Sequence, residues 1–360
     1  MSVAHVESAH RLAQILREQR QLSATPAPQP TNFGQRTSNP LRPERLADMI
    51  GQDAMRAFMD RVLYAAEERK AVLDHVLIVG PSGMGKSTLA TILANERGVA
   101  CYQLEAPVSH ETLLSLRTVM ADADILFIDE IHQQAIADRR GLSTSTQPEV
   151  LFSVMEDHTI VTSSGVLPFP HITVIGATTD EGMLPDAFIN RFPLRPVLEP
   201  YTHQDLCRIC DYNAQALGFS IDGQASSLFA GASRGVPRQV NNYIRNAISL
   251  TIGSTITRAV AEEVIHDLNR TTDDGLTRDM QNVLTFLYTR CKHTNGQGAT
   301  TYSASVNTLA TAIGKSRDAK AIALRVEPYL IAEGYLQVGH GGRILTPAGI
   351  KRAKQLIGKP

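Results

Sequence analysis

The stretch "IVGPSGMGKSTLA", residues 78–90, decides the reading of this chain. An apolar run passes into a glycine-rich turn and then into a helical pattern. Gly80, Gly85, Lys86 and Ser87 occupy every fixed position of the phosphate loop G-x-x-x-x-G-K-[ST]. Such a loop wraps backbone N–H groups around the phosphates of a nucleotide and aims a helix N-terminus at their charge. Gly83 lies within the turn, and Lys86 is the residue expected to reach the β and γ phosphates. The Ser87 hydroxyl is the expected magnesium ligand, with Thr88 beside it. The pattern predicts a strand–loop–helix unit that binds ATP or GTP, and the rest of the chain has to say what that nucleotide drives.

Around this unit, residues 41–199 alternate helical patterns with short, wholly apolar runs: "HVLIVG", "ILFIDE" and "ITVIGATT". Strands apolar on both faces imply a buried, mainly parallel sheet, and hence an α/β core. "ILFIDEIH" (125–132) delivers Asp129 and Glu130 at a strand end. Downstream of a phosphate loop such a pair suits magnesium binding through water and activation of an attacking water. "VIGATTD" (174–180) ends a further strand in Thr178 and Thr179, either of which is placed to sense a γ-phosphate. "DAFINRFPLR" carries Arg191, expected on a helix just before Pro193, where it could act as an arginine finger toward a neighbouring subunit. "GVPRQVNNYIRN" sets Pro237 at a helix start, with Arg238 just inside it and able to approach the γ-phosphate.

Composition narrows the class. The chain has 360 residues, too many for one small core, and 43% hydrophobic with 20% charged residues describes a globular protein. No apolar run approaches the roughly 18 residues of a membrane helix. MSVAHVESAHRL lacks the apolar core of a secretion signal. Four cysteines are too few for a disulfide framework, so a reduced, cytoplasmic protein is expected. The net charge of −1 hides an asymmetry: residues 277–360 hold 12 Lys and Arg against 4 Asp and Glu. A terminal segment of that sign suits contact with nucleic-acid phosphates.

Four domains are expected. Residues 1–40 pair a short amphipathic helix (Val6, Ala9, Leu12, Ala13, Leu16) with the Pro-rich linker "SATPAPQPTNFGQRTSNP". Residues 41–199 form the nucleotide core. Residues 200–274 show helical patterns without a convincing strand and suit a small helical lid. Residues 275–360 open with a helix (Met280–Cys291) and a Gly/Asn-rich break. Two helical stretches follow, then two β-like runs in "YLQVGHGGRILT", which suggests a winged helix. Two short motifs are set aside: "GASRG" fits a nucleophile elbow but joins helices, and Cys207-x-x-Cys210 lacks the second pair a zinc site needs.

Together and in this order these blocks resemble an AAA+ ATPase, and more closely the RuvB family, the ring motors of Holliday-junction branch migration. "LRPERLADMIGQ", "LDHVLIVGPSGMGKSTLATILANERGV", "IDEIH", "MED", "GATT", "RGVPRQVNN" and "EPYLIAEGYLQ…GGRILT" carry the resemblance, from Leu41 to Thr346. It implies ATP and Mg2+ as cofactors, duplex or four-way junction DNA as substrate, and a homo-oligomeric, hexameric ring. It also implies a γ-phosphate sensor at Thr178 or Thr179, a trans-acting finger at Arg191 and a second sensor at Arg238. Leu41, Arg42, Ile50 and Gly51 fall where the family forms its adenine pocket, and Arg343 where it contacts DNA.

The chain departs from the family in three places. "HTIVTSSGVLPFP" (158–170) is shorter than the hairpin that docks the junction-binding partner RuvA. "ADRRGLSTSTQP" (137–148) is longer than the usual loop, and Ile189 replaces a frequent second arginine. A partner docked differently, or none, is the expectation, with the N-terminal helix as the substitute surface. A DNA-loading switch or clamp loader, and an ATP-gated winged-helix regulator, are the alternatives to a branch-migration motor.

Overall fold

The computed structural model describes residues 39–139, 148–294, 300–314, 319–339 and 342–358; the expected N-terminal helix and linker lie outside them, as does most of the loop 137–148. The described residues form two compact units. One runs to Gly218 and takes in Gly235–Asn242; the other joins Phe219–Arg234 to the chain from Tyr243 onward. The segment 200–274 contributes to both.

In the first unit, β1 (Val76–Val79), β2 (Cys101–Glu105), β3 (Ile125–Asp129) and β6 (Thr173–Thr178) form a parallel sheet in the order β1-β6-β3-β2. The segment 194–198 extends it beyond β1, with Leu77 N–H donating to Leu194 O and Leu198 N–H to Val79 O, both at 2.8 Å. Alternation along each strand sorts side chains onto two faces. Val76, Ile78, Ile125, Phe127 and Ile175 pack with Met59, Leu89 and Ile92 on one side. Leu77, Leu126, Ile128 and Val174 pack with Leu113, Leu116, Leu151 and Phe188 on the other. Each such side chain removed from water contributes roughly 1.5–3 kcal/mol. Both faces are covered, which is why these strands are apolar throughout. The strand β2, "CYQLE", escapes a reading that looks for apolar runs, because as the edge strand it keeps a glutamine and a glutamate.

Helices begin where the sequence supplies an acceptor. Ser109 Oγ accepts from Thr112 N–H, and Thr202 Oγ1 accepts from Asp205 N–H, each satisfying an otherwise orphaned donor. A separate hairpin, β4 (Thr159–Thr162) with β5 (Gly165–Pro168), turns over Ser163 and Ser164.

The second unit contains two short strands, β7 (Ser220–Ile221) and β8 (Thr255–Ile256), paired in parallel. Strands were not expected there, and two residues are too few to carry a periodicity. Further along, helices Arg278–Arg290, Val306–Ala312, Ala319–Arg325, Glu327–Ala332 and Pro347–Ile357 surround a core of Met280, Leu284, Leu287, Leu309, Leu330 and Leu345. The strands β11 (Leu336–Gly339) and β12 (Gly342–Leu345) pair antiparallel with Leu336 opposite Leu345, giving the expected wing hairpin. Its sheet continues through β10 (Thr300–Ala304) to β9 (Lys292–Thr294), strands that the expected Gly/Asn-rich break conceals.

Candidate nucleotide site

The phosphate loop joins β1 to the helix Lys86–Arg97, whose N-cap is Gly85 at φ 101° with no side chain capping it. The first N–H groups of that helix are therefore left for an anion. A Cβ on Gly85 would meet nothing nearer than Thr88 Cβ at 3.9 Å, so the space over the loop is open. Gly83 is held for the opposite reason. At φ +84° its Cβ would lie 2.8 Å from Val236 Cγ1 and 3.1 Å from Arg238 Cβ. The loop thus touches the chain that leads into helix Pro237–Leu250, which begins where Pro237 predicted.

Lys86 is buried, and its Nζ donates to Gly80 O at 2.8 Å and Pro81 O at 3.2 Å. An ammonium carries three donors, so one remains for a ligand. Burial pulls the Lys86 amine below its ordinary value, Glu130 and Asp129 oppose that shift, and Arg238 reinforces it. Those influences set Lys86, Asp129, Glu130 and Arg238 in one electrostatic neighbourhood.

Asp129 ends β3 and Glu130 begins the turn beyond it. Glu130 takes φ 46°, a left-handed conformation rare outside glycine and typical of stored strain at functional sites. Asp129 Oδ1 accepts from Glu130 N–H at 3.0 Å, and Ile131 N–H donates to Ala177 O at 2.8 Å, fixing the turn against β6. The two threonines at the end of β6 divide. Thr178 is fully buried and its Oγ1 engages the backbone of Asp180 through both N and O. Thr179 is exposed and donates from Oγ1 to Glu130 Oε2 at 3.3 Å, so only the second threonine faces the site. His132, missed by the sequence reading, lies between the two groups.

Leu41 is buried, Arg42 exposed and Ile50 half-buried; Gly51, at φ +68°, packs against Tyr201 and Asp205, two further residues that the motifs did not flag. Gln52 closes this corner, donating from Nε2 to Glu199 O at 2.6 Å. Arg191 follows the short helix Asp186–Ile189 and is not on it. Its guanidinium lies 3.8 Å over the Phe152 ring and pairs with Glu156. Ile189 packs beside the Phe188 core.

Arg343 lies on β12 in the second unit. A DNA contact was expected of it, but its Nε and Nη2 bond both oxygens of buried Glu327, at 2.6 and 2.9 Å. Two of its five donors are committed inside the domain, where they compensate the burial of the Glu327 carboxylate. Ser233 of "GASRG" is buried and donates to Phe229 O, as a structural serine does. Among the described residues no cluster of His, Cys, Asp or Glu suits a metal, and no helix is long and apolar enough to cross a membrane.

Together the parallel sheet, the open glycine loop, the acidic strand end and the arginine-bearing helix define an AAA+ P-loop ATPase joined to a winged-helix domain. Residues 41–198 match the model of the Holliday junction DNA helicase RuvB P-loop domain, and residues 273–354 that of the RuvB C-terminal winged helix domain. The chain belongs to the RuvB family. The structure of the Thermotoga maritima RuvB Holliday junction branch migration motor is 28% identical, with a TM-score of 0.71 over 88% of this chain and 99% of that one. A proline-to-glycine mutant of the same protein is also 28% identical, with a TM-score of 0.72 over 87% and 98% of the two chains.

Proposed function

We propose that the chain is a ring motor that hydrolyses ATP to translocate duplex DNA and drive Holliday junction branch migration in recombination and repair. The observation that carries this is the phosphate loop packed against the start of the Arg238 helix, in a chain whose two family domains are both of the RuvB type.

Lys86 and the N–H groups beyond Gly85 hold the phosphates, while Leu41, Arg42, Ile50 and Gly51 line the adenine pocket. Ser87 and Asp129 would hold Mg2+, which neutralises phosphate charge as the terminal phosphoryl group transfers. Glu130 takes a proton from the attacking water. Thr179 orients that water or the γ-phosphate from the end of β6, and Thr178 supports the turn beneath it. Arg238 approaches the γ-phosphate from its helix. Arg191, supplied by the neighbouring subunit of a hexamer, stabilises charge developing in the transition state. DNA phosphates meet the exposed Arg290, Lys292, Lys320, Arg325, Lys351 and Lys354 of the second unit.

The test is ATP turnover with no DNA, with duplex and with a four-way junction, alongside branch migration of a labelled junction. A motor shows DNA-stimulated turnover and strand exchange without sequence preference. Tight binding to one sequence, with turnover indifferent to DNA, would reject it in favour of a regulator.

A further inference from the structure

His132 opens the helix His132–Arg139 and is almost wholly buried, with polar contacts at both ring nitrogens. Its Nδ1 lies 3.0 Å from Thr178 Oγ1 and 3.3 Å from Glu130 Oε2. Its Nε2 lies 2.9 Å from the side-chain amide of exposed Gln133. The Glu130 carboxylate beside Nδ1 can only accept, so Nδ1 carries a proton. Thr178 agrees with that assignment, since its own hydroxyl proton is directed to Asp180 O at 3.1 Å. One N–H is thus shared between the threonine that ends β6 and the Glu130 carboxylate just beyond β3.

We propose that His132 is a positioning residue for ATP hydrolysis, using its Nδ1–H to hold the Glu130 carboxylate at the angle from which it activates water. The inference rests on Glu130 being the base. Glu130 is attached through a strained turn and is otherwise restrained by a single long hydrogen bond from exposed Thr179. A carboxylate with one weak tether samples several rotamers, whereas one tied also to a buried ring does not. A misplacement of about 1 Å costs about a hundredfold in rate. Thr178, buried and locked on Asp180, gives the ring its fixed reference on the sheet.

The test uses the full chain with duplex DNA and three variants. Asparagine can offer its amide N–H near the Nδ1 position, glutamine only near Nε2, and alanine neither. His132→Ala should lower kcat by about tenfold to a hundredfold while KM and the affinity for a fluorescent ATP analogue stay within about twofold. His132→Asn should recover most of that loss and His132→Gln should not. In labelled wild-type protein, the His132 Nδ1 resonance, assigned by its loss in His132→Asn, should lie in the range of a protonated ring nitrogen. Equal rates for Asn and Gln, an alanine variant as fast as wild type, or ATP affinity falling in step with kcat would overturn the proposal. An unprotonated Nδ1 would do so as well. If Glu130→Gln retained full turnover, the assignment of the base would fall, an outcome separable from any result with His132.

Discussion

The Arg191 guanidinium is paired with the Glu156 carboxylate at 3.1 Å and capped by the Phe152 ring, while its buried Nε has no hydrogen-bond partner among the described residues. Its Nη1 donates to Ala187 O at 2.5 Å. The arginine is thereby held on the residues that precede the β4–β5 hairpin and on the short helix Asp186–Ile189 just before it. That rigidity suits a finger offered to another subunit, because an unsupported arginine would pay for its order at each encounter. Mixing Arg191→Ala with Glu130→Gln subunits should restore some turnover, since an intact Glu130 and an intact Arg191 meet at mixed interfaces. Glu156→Ala should slow turnover severalfold with ATP binding unchanged. No rescue at any mixing ratio would count against a shared site.

The loop predictions are local. Lys86→Ala removes the buried ammonium that bonds Gly80 and Pro81, and nucleotide binding should be lost. Gly83→Ala forces a Cβ against Val236 and into a left-handed backbone, a strain of about 1–3 kcal/mol. It should weaken ATP binding, and Glu130→Gln should bind ATP as wild type while hydrolysis stops. Equilibrium binding of a fluorescent ATP analogue, read beside single-turnover hydrolysis, separates the three. Wild-type affinity in Lys86→Ala would sink the phosphate-loop assignment.

His75 predicts acid sensitivity in the core. Its Nδ1 accepts from Val174 N–H at 3.0 Å and its Nε2 donates to Met155 O at 3.1 Å, so the neutral ring bridges β6 to the helix before the hairpin. Burial lowers its pKa from the ordinary histidine value, the Met155 contact and Asp74 oppose this, and His158 and His171 reinforce it. The unfolded chain therefore binds the proton more readily. Stability from this group is complete above about pH 6.5 and falls as pH drops below it, until the folded-state pKa is reached. The slope from one such group is at most about 1.4 kcal/mol per pH unit. Urea titrations across pH 5–7.5 should show the fall, and His75→Gln should flatten it; an unchanged slope would remove His75 from the account.

How much of this was legible follows from what each residue has to do. The loop, the acidic strand end, Pro237 and the wing hairpin were visible because their chemistry demands fixed residue types at fixed spacing. The strand β2 was invisible because an edge strand need not be apolar, and β7 and β8 because two residues carry no period. His132 sits inside a quoted motif but contacts Thr178, 46 residues away, and no spacing reports such a contact. Arg343 was legible as a basic residue near a wing; only Glu327 on the facing helix shows where its charge goes.

That pair makes the next prediction. Glu327 is 4% exposed, so removing Arg343 leaves a buried carboxylate uncompensated, at a cost of about 3–5 kcal/mol. Arg343→Ala and Glu327→Ala should each lower the melting temperature of the second unit. The apolar double variant Arg343→Met with Glu327→Leu should recover much of it. Loss of DNA affinity in Arg343→Ala should then track unfolding, whereas Lys351→Ala should reduce the salt dependence of binding without changing stability. An Arg343→Ala protein that melts as wild type but binds DNA weakly would return Arg343 to the phosphate contacts.

The hairpin decides the partner. Its arms are four residues each, and Val161 and Val166, facing each other across the pair, are 61% and 62% exposed. At roughly 3.3 Å per residue such arms reach only a short way from their base. His110 bonds Val161 O at 2.7 Å, and Arg117 donates to Pro168 O, so helix His110–Leu116 braces both arms. Two valines offer far less than the roughly 800 Å² each partner buries in a stable interface. We therefore expect Val161→Ser with Val166→Ser to leave DNA-stimulated ATPase and junction binding unchanged. Deleting residues 1–38 should impair DNA movement while basal hydrolysis persists. Strong binding of a RuvA-type protein that survives the deletion and is lost in the double serine variant would show that the short hairpin is the docking site after all.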